Sequence, residues 1–122
     1  MADEKKLLII ATAGPEDAEK ATIPFVMGTA AQASGINVKI GFQGKAVMLA
    51  KKSCLPHVFA SNFPPLAELV KMFTEAGGEI LLCGPCVNSR KIPAEEFIEG
   101  AKIVNAPTFV NEVMISTHSL VY

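Results

Sequence analysis

Apolar and polar positions along the chain change period several times, and each change marks an element. Leu7-Leu8-Ile9-Ile10-Ala11 is a continuous apolar run, as expected of a central strand covered on both faces. Gly14-Pro15 follows, with acids at Glu16, Asp17 and Glu19, the pattern of a helix start. That helix is expected to run to Ser34, with Gly35 stopping it and Pro24 kinking it or delaying its start. Its small residues Gly28, Ala30, Ala31 and Ala33 suit close packing against a sheet or a neighbouring helix. Ile36, Val38, Ile40 and Phe42 then alternate with Asn37, Lys39 and Gly41, the period of a half-buried strand.

Gly44 leads into a short helix carrying Val47, Met48 and Leu49, and residues 53–64 form the longest irregular stretch. Pro65 opens an amphipathic helix in which Leu66, Leu69, Val70 and Phe73 recur at helical spacing, ended by Gly77-Gly78. Glu79–Leu82 reads as a strand that runs into Cys83-Gly84-Pro85-Cys86. Short helices are expected over Pro93–Glu99 and over Pro107–Ser116, the second burying Phe109, Val110, Val113 and Met114. His118–Tyr122 closes the chain as a strand. Strands that alternate with helices imply an α/β fold: a mainly parallel sheet, right-handed crossovers and helices on both faces. Chemistry in such folds gathers beyond the carboxyl ends of the strands, where Cys83 falls.

Composition narrows the function classes. The 122 residues suit a single domain, 1–122, and half of them are apolar, enough for a sizeable core and for some surface buried between subunits. Lys plus Arg number 11 and Asp plus Glu 12, a balance that makes no electrostatic case for nucleic acid or an anionic membrane. With one Tyr and no Trp, base-stacking platforms are not expected either. The first apolar run is too short and too acidic in its flanks for a signal peptide or membrane insertion, so a cytoplasmic protein is expected. There is no G-x-x-x-x-G-K-[ST] loop and no G-x-G-x-x-G, and no cofactor is expected. The acids of Ala13-Gly14-Pro15-Glu16 argue against an anion site at that turn.

Three cysteines, Cys54, Cys83 and Cys86, are too few and too odd in number for a disulfide framework. With Pro85 as the first helical residue, Gly84 would be the N-cap and Cys86 would lie in the first turn. The unpaired amides and the positive end of the helix dipole would there favour a thiolate. Arg90 stands four residues beyond Cys86 with Lys91 beside it, and no acid lies between residues 80 and 94. Several chemistries stay open: disulfide exchange with the second Cys as resolver, storage of sulfur as a persulfide, oxidation sensing, or two small apolar fillers at a strand end. The same tetrapeptide occurs in thioredoxins, but there it lies in the first half of the domain, usually after a Trp, and a cis-proline follows well downstream. Here it lies in the second half after Leu82, and helical periodicity follows Pro107. Zinc is a further alternative, because Cys54 and His57 could join Cys83 and Cys86 in a tetrahedral set, although a domain of this size does not need the metal. His118 reads as a surface or strand-end residue, and Glu95 and Glu96 as a solvated face.

The segments "LLIIATAGPEDAEKATIPFVMGTAAQASG", "VKIGFQGKAV", "FPPLAELVKMFTEAGGEILLCGPCVNSR" and "EEFIEGAKIVNAPTFVNEV" resemble the DsrE/DsrF-like family, with its YchN-type and TusD-type sulfur-relay branches. The strand–Cys–x–x–Cys–x–x–x–Arg block is the most specific part, and the likeness runs from Lys5 to Tyr122. The resemblance implies a flavodoxin-like three-layer sandwich with a sheet of about five strands. It also implies a homo-oligomer, trimer or hexamer, with thiol sites near subunit interfaces. In the relay members one Cys accepts persulfide sulfur from a donor protein and hands it to an acceptor. That position falls on Cys83, which makes Cys83, Cys86 and Arg90 the catalytic candidates. A glycine usually follows the motif Arg; here it is Lys91. No P-x-x-x-T-x-x-C pattern is present, so peroxidase chemistry is not expected.

Overall fold

The computed structural model describes residues 4–122. Five strands form one parallel sheet in the order β4-β3-β2-β1-β5: β1 Lys6–Ala11, β2 Asn37–Phe42, β3 Glu79–Cys83, β4 Lys102–Val104 and β5 His118–Val121. The helices are α1 Ala18–Ala33, α2 Leu66–Glu75, α3 Gly84–Ser89 and α4 Ala106–Ile115. The expected flavodoxin-like α/β sandwich is the observed fold. Strands β1 to β4 step across the sheet in one direction, so right-handed crossovers put α1 and α2 on the same face. The connection from β4 to β5 runs back across three strands, and the same handedness puts α4 on the opposite face.

The main core lies under α1 and α2. Val38, Ile40 and Phe42 point to this face with Ile9, Ala11, Ile80 and Leu82. The Phe25 ring meets Phe73 at 5.4 Å and Phe42 at 5.9 Å, both edge to face. Gly28 lets α1 close on Ile40 and Phe73, as its small residues predict. Pro24 does not interrupt α1, because it removes one early helical bond, to the carbonyl of exposed Lys20. The helix instead begins at Ala18, where the Asp17 side chain accepts a 3.0 Å bond from the Lys20 amide.

The second face is thinner. Only Phe109 of α4 is fully buried, and its ring occupies the space where a side chain at Gly41 would stand. The expected buried partners are not buried: Val110 is 60% and Met114 76% exposed, with Val113 and Ile115 also open. A single helix spans only the middle of a five-stranded sheet, so one of its sides has nothing to pack against. A charge pair adds to its seat: Lys39 Nζ bonds both oxygens of Glu112 at 3.0 Å and stands 3.6 Å from Glu79, which also receives Lys102 at 2.8 Å.

Three short segments depart from the expected pattern. The helix after Gly44 is a 3-10 turn, Gly44–Ala50, in which Ala46, Val47, Leu49 and Ala50 are buried. Pro93–Glu99 holds only a 3-10 turn at Ala94–Glu96, because after it the Ile98 amide bonds the Ala50 carbonyl and the Phe97 bridge pairs with Lys51. Strand β4 is absent from the sequence pattern, because three residues carry no readable period; its place is set by pairing with β3.

The hydrogen bond from Lys102 holds the Glu79 carboxyl below its usual range, against opposing burial and with help from Lys39. A depressed carboxylate stabilises above its unfolded titration range and loses that contribution as pH falls through its folded one. Its side chain is 38% exposed, so screening keeps the effect small. Glu79→Gln is expected to cost about 0.5 kcal/mol at neutral pH, with the difference from wild type closing in acid. Urea unfolding at several pH values measures it.

Candidate functional site

Cys83 ends β3 and lies opposite Val104 of β4, at the carboxyl edge of the sheet. It is here that the crossovers change face, and a crevice of about 410 Å³ opens between α3 and α4, lined by Pro85, Asn88, Ile103, Val104, Asn105 and Thr108. Another cavity, of about 370 Å³, lies at the amino end of the sheet between the ends of α1 and α2 and contains no titratable or nucleophilic side chain.

The CGPC segment does turn into a helix, shifted by one residue from the expected start: Cys83 is the N-cap and Gly84 the first helical residue. Cys83 and Cys86 are joined as a disulfide with Cα atoms 5.3 Å apart. Both are half-buried. Pro85 and Asn88, three apart, face the crevice, whereas Cys86 points the other way. Its Sγ accepts a hydrogen bond of 3.2 Å from the Gly44 amide, at the turn that follows β2. Gly44 has φ +59, a left-handed backbone that glycine adopts freely, and this conformation presents its N–H to the sulfur. Nothing in the sequence linked Gly44 to Cys86; they are 42 residues apart.

Arg90 is the C-cap of α3, and its guanidinium donates to the Cys86 carbonyl at 3.1 Å and to Ser89 Oγ at 3.4 Å rather than to a sulfur. It thus brings positive charge beside the pair while capping a short helix. Lys91 follows with φ +54, its amide bonding the Asn88 carbonyl and the Ile92 amide the Val87 carbonyl. This is the same helix stop that Gly35 makes after α1 and Gly77 after α2, built here on a residue with a Cβ.

The zinc set is not assembled. Cys54 and exposed His57 belong to the Leu55–His57 turn, Cys83 and Cys86 are bonded to each other, and among the described residues no three His, Cys, Asp or Glu side chains cluster as ligands. Burial pushes the Cys54 thiol up, against the nearby Lys51 charge, which leaves it a poor nucleophile. At the first turn, both Glu16 oxygens accept from the Gly14 amide, at 3.0 and 3.2 Å. The chain's own carboxylate thus takes up this turn's amide. Pro107 stands in the first turn of α4, a helix-start proline.

A small parallel α/β sandwich with a two-cysteine turn at the carboxyl edge of its sheet defines the class. The model of the DsrE/DsrF-like family matches residues 5–121, and the chain belongs to that family. The uncharacterised protein MJ0989 of Methanocaldococcus jannaschii is 35% identical over 98 residues, 80% of this chain and 82% of that protein. The uncharacterised protein MK0008 of Methanopyrus kandleri is 28% identical over 95% of this chain and 93% of its own length. The crystal structure of the YchN protein from E. coli superposes with a TM-score of 0.80 at 17% identity, covering 97% of this chain and 99% of that one. MTH1491 from Methanobacterium thermoautotrophicum, a protein of unknown function, gives 0.72 at 10% identity, covering 95% and 97%. These two structures share the fold.

A left-handed residue with a Cβ costs about 1–2 kcal/mol, partly offset by the greater unfolded freedom of glycine. Lys91→Gly is therefore expected to raise stability by about 0.5–1 kcal/mol, read as a higher urea midpoint with an unchanged slope.

Proposed function

We propose that this chain is a thiol sulfur carrier, which accepts persulfide sulfur on Cys83 and passes it to an acceptor in sulfur metabolism. The observation that carries this reading is the pairing of Cys83 with Cys86 at the carboxyl edge of the sheet, beside an open crevice. Cys86 serves as the resolving thiol: its thiolate attacks Sγ of the loaded Cys83, the outer sulfur leaves as hydrosulfide, and the Cys83–Cys86 disulfide closes. Arg90 supplies positive charge next to the pair. Family membership supports the reading, through the resemblance to sulfur-relay members. A cytoplasmic location and protein donors and acceptors of sulfur belong to the same proposal. Among the described residues, no helix is long and apolar enough to cross a membrane.

A second reading, a dithiol redox protein or sensor, is favoured by the disulfide itself. One measurement separates the two. Reduced protein is exposed to a low-molecular-weight persulfide donor and followed by intact mass and peptide mapping. The carrier reading expects one added sulfur on Cys83, retained in Cys86→Ser where no thiol resolves it, and none in Cys83→Ser. A Cys83–Cys86 disulfide in the wild type with no sulfur retained in Cys86→Ser would replace it with the redox reading.

The carrier acts as a homo-oligomer, a trimer or hexamer, assembled through the open side of α4. Val110, Val113 and Met114 there are exposed aliphatic side chains at helical spacing. Met114→Glu is expected to lower the mass measured by light scattering while leaving the monomer folded, since that side chain is 76% exposed. An unchanged mass would put the interface elsewhere.

A further inference from the structure

We propose that the Cys83–Cys86 disulfide reacts with inorganic hydrosulfide, so that the oxidised protein makes its own persulfide. This rests on the reading of Cys83 as the persulfide carrier. In the step, the sulfur of HS⁻ attacks Sγ of Cys83 and the S–S bond to Cys86 breaks. Cys83 becomes a persulfide, and Cys86 leaves as a thiolate with the electron pair of the broken bond. The disulfide is the oxidant: sulfide sulfur is oxidised as Cys86 is reduced, and no external acceptor is required.

The direction of cleavage follows from an asymmetry between the two sulfurs. Cys86 Sγ already accepts the Gly44 N–H at 3.2 Å, whereas no hydrogen bond reaches Cys83 Sγ among the described residues. A donor aimed at a neutral sulfur binds the thiolate more strongly once charge develops there. Thiol–disulfide exchange is faster when the departing sulfur is the better stabilised anion, so attack is directed to Cys83. The donor comes from a separate element, the turn after β2, and does not depend on α3 alone.

The surroundings fit a small anion. Both cysteines are half-buried, a setting that a nucleophile of one heavy atom can enter. Arg90 holds its charge on the Cys86 carbonyl, Lys45 follows Gly44, and Lys91 follows Arg90. On the strands beside α3, the acid Glu79 lies at the far end of β3, where it is paired with Lys102. Hydrosulfide therefore meets basic residues on the segments that carry the pair, while the Glu16 carboxylate, at the first turn beside Lys45, is occupied by the Gly14 amide.

The test mixes oxidised protein, verified by intact mass, with one equivalent of sodium sulfide under anaerobic conditions, followed by rapid alkylation and peptide mapping. Expected is a gain of one sulfur and two hydrogens before alkylation, mapped as a perthiol on Cys83 and a thiol on Cys86. Sulfur on Cys86, or a reduced pair with no sulfur retained, overturns the proposal. Uptake by pre-reduced protein also overturns it, since that form holds no oxidant. In parallel, reduced protein is given the persulfide donor: loading from the donor but not from sulfide sinks this inference alone, whereas failure of both sinks the carrier reading too. A second measurement follows thiolate absorbance in Cys83→Ser and Cys86→Ser. The Cys86 thiolate is expected to form at lower pH than that of Cys83, and the reverse order overturns the assignment of the leaving sulfur.

Discussion

Because parallel crossovers turn right-handed, four strands laid down in one direction commit α1 and α2 to one face, and the single return from β4 to β5 commits α4 to the other. Everything distinctive about the molecule depends on that reversal. It opens the crevice between β3 and β4 at their carboxyl ends, and β3 ends there on Cys83. It also leaves one face with α1, α2 and the short α3, and the other with α4 alone. The phenylalanine cluster of Phe25, Phe42 and Phe73 fills the first face, while the second relies on Phe109 over Gly41 and on the Lys39–Glu112 pair.

The cysteine turn is held from two directions. One is covalent, within Cys83–Cys86, and keeps the sulfurs at the strand end. The other is the Gly44 amide, which fixes Cys86 against the turn after β2 and makes the two sulfurs chemically unequal. Arg90 works by a third route, satisfying the Cys86 carbonyl where α3 runs out of helical partners. Lys91 then takes a left-handed conformation that a glycine would adopt without strain. A basic residue beside a thiol site is kept there at a cost in backbone energy.

The thin face has a different meaning from the cysteine-bearing edge. Aliphatic side chains recurring along α4 would be core residues if a second helix lay beside it. Among the described residues there is no such helix, and the apolar stripe is left open to solvent in the monomer. The stripe lies on the same helix whose N-terminal turn borders the crevice, through Asn105 and Thr108. The open stripe and one wall of the crevice therefore share one rigid element.

Long, strongly periodic elements were legible from local pattern alone. Leu7–Ala11, the helix ended by Gly35 and the Leu66–Phe73 stripe are dictated by side-chain spacing and by glycines that permit the stops, so β1, α1 and α2 stand where the sequence puts them. The cysteine pair was legible as well, since a two-residue gap at a strand end brings both thiols within bonding reach. Strand β4 was not, because three residues become a strand only when β3 offers them an edge. The exposure of Val110, Val113 and Met114 could not be read either: a helical stripe records which residues are apolar, not whether anything packs on them. The Gly44 donor likewise arises when β2 and β3 pair in register and bring two turns together that lie far apart in the chain. Local spacing thus determined the elements and the cysteine pair. Long-range pairing decided which sulfur has a hydrogen-bond donor and which apolar face remains open.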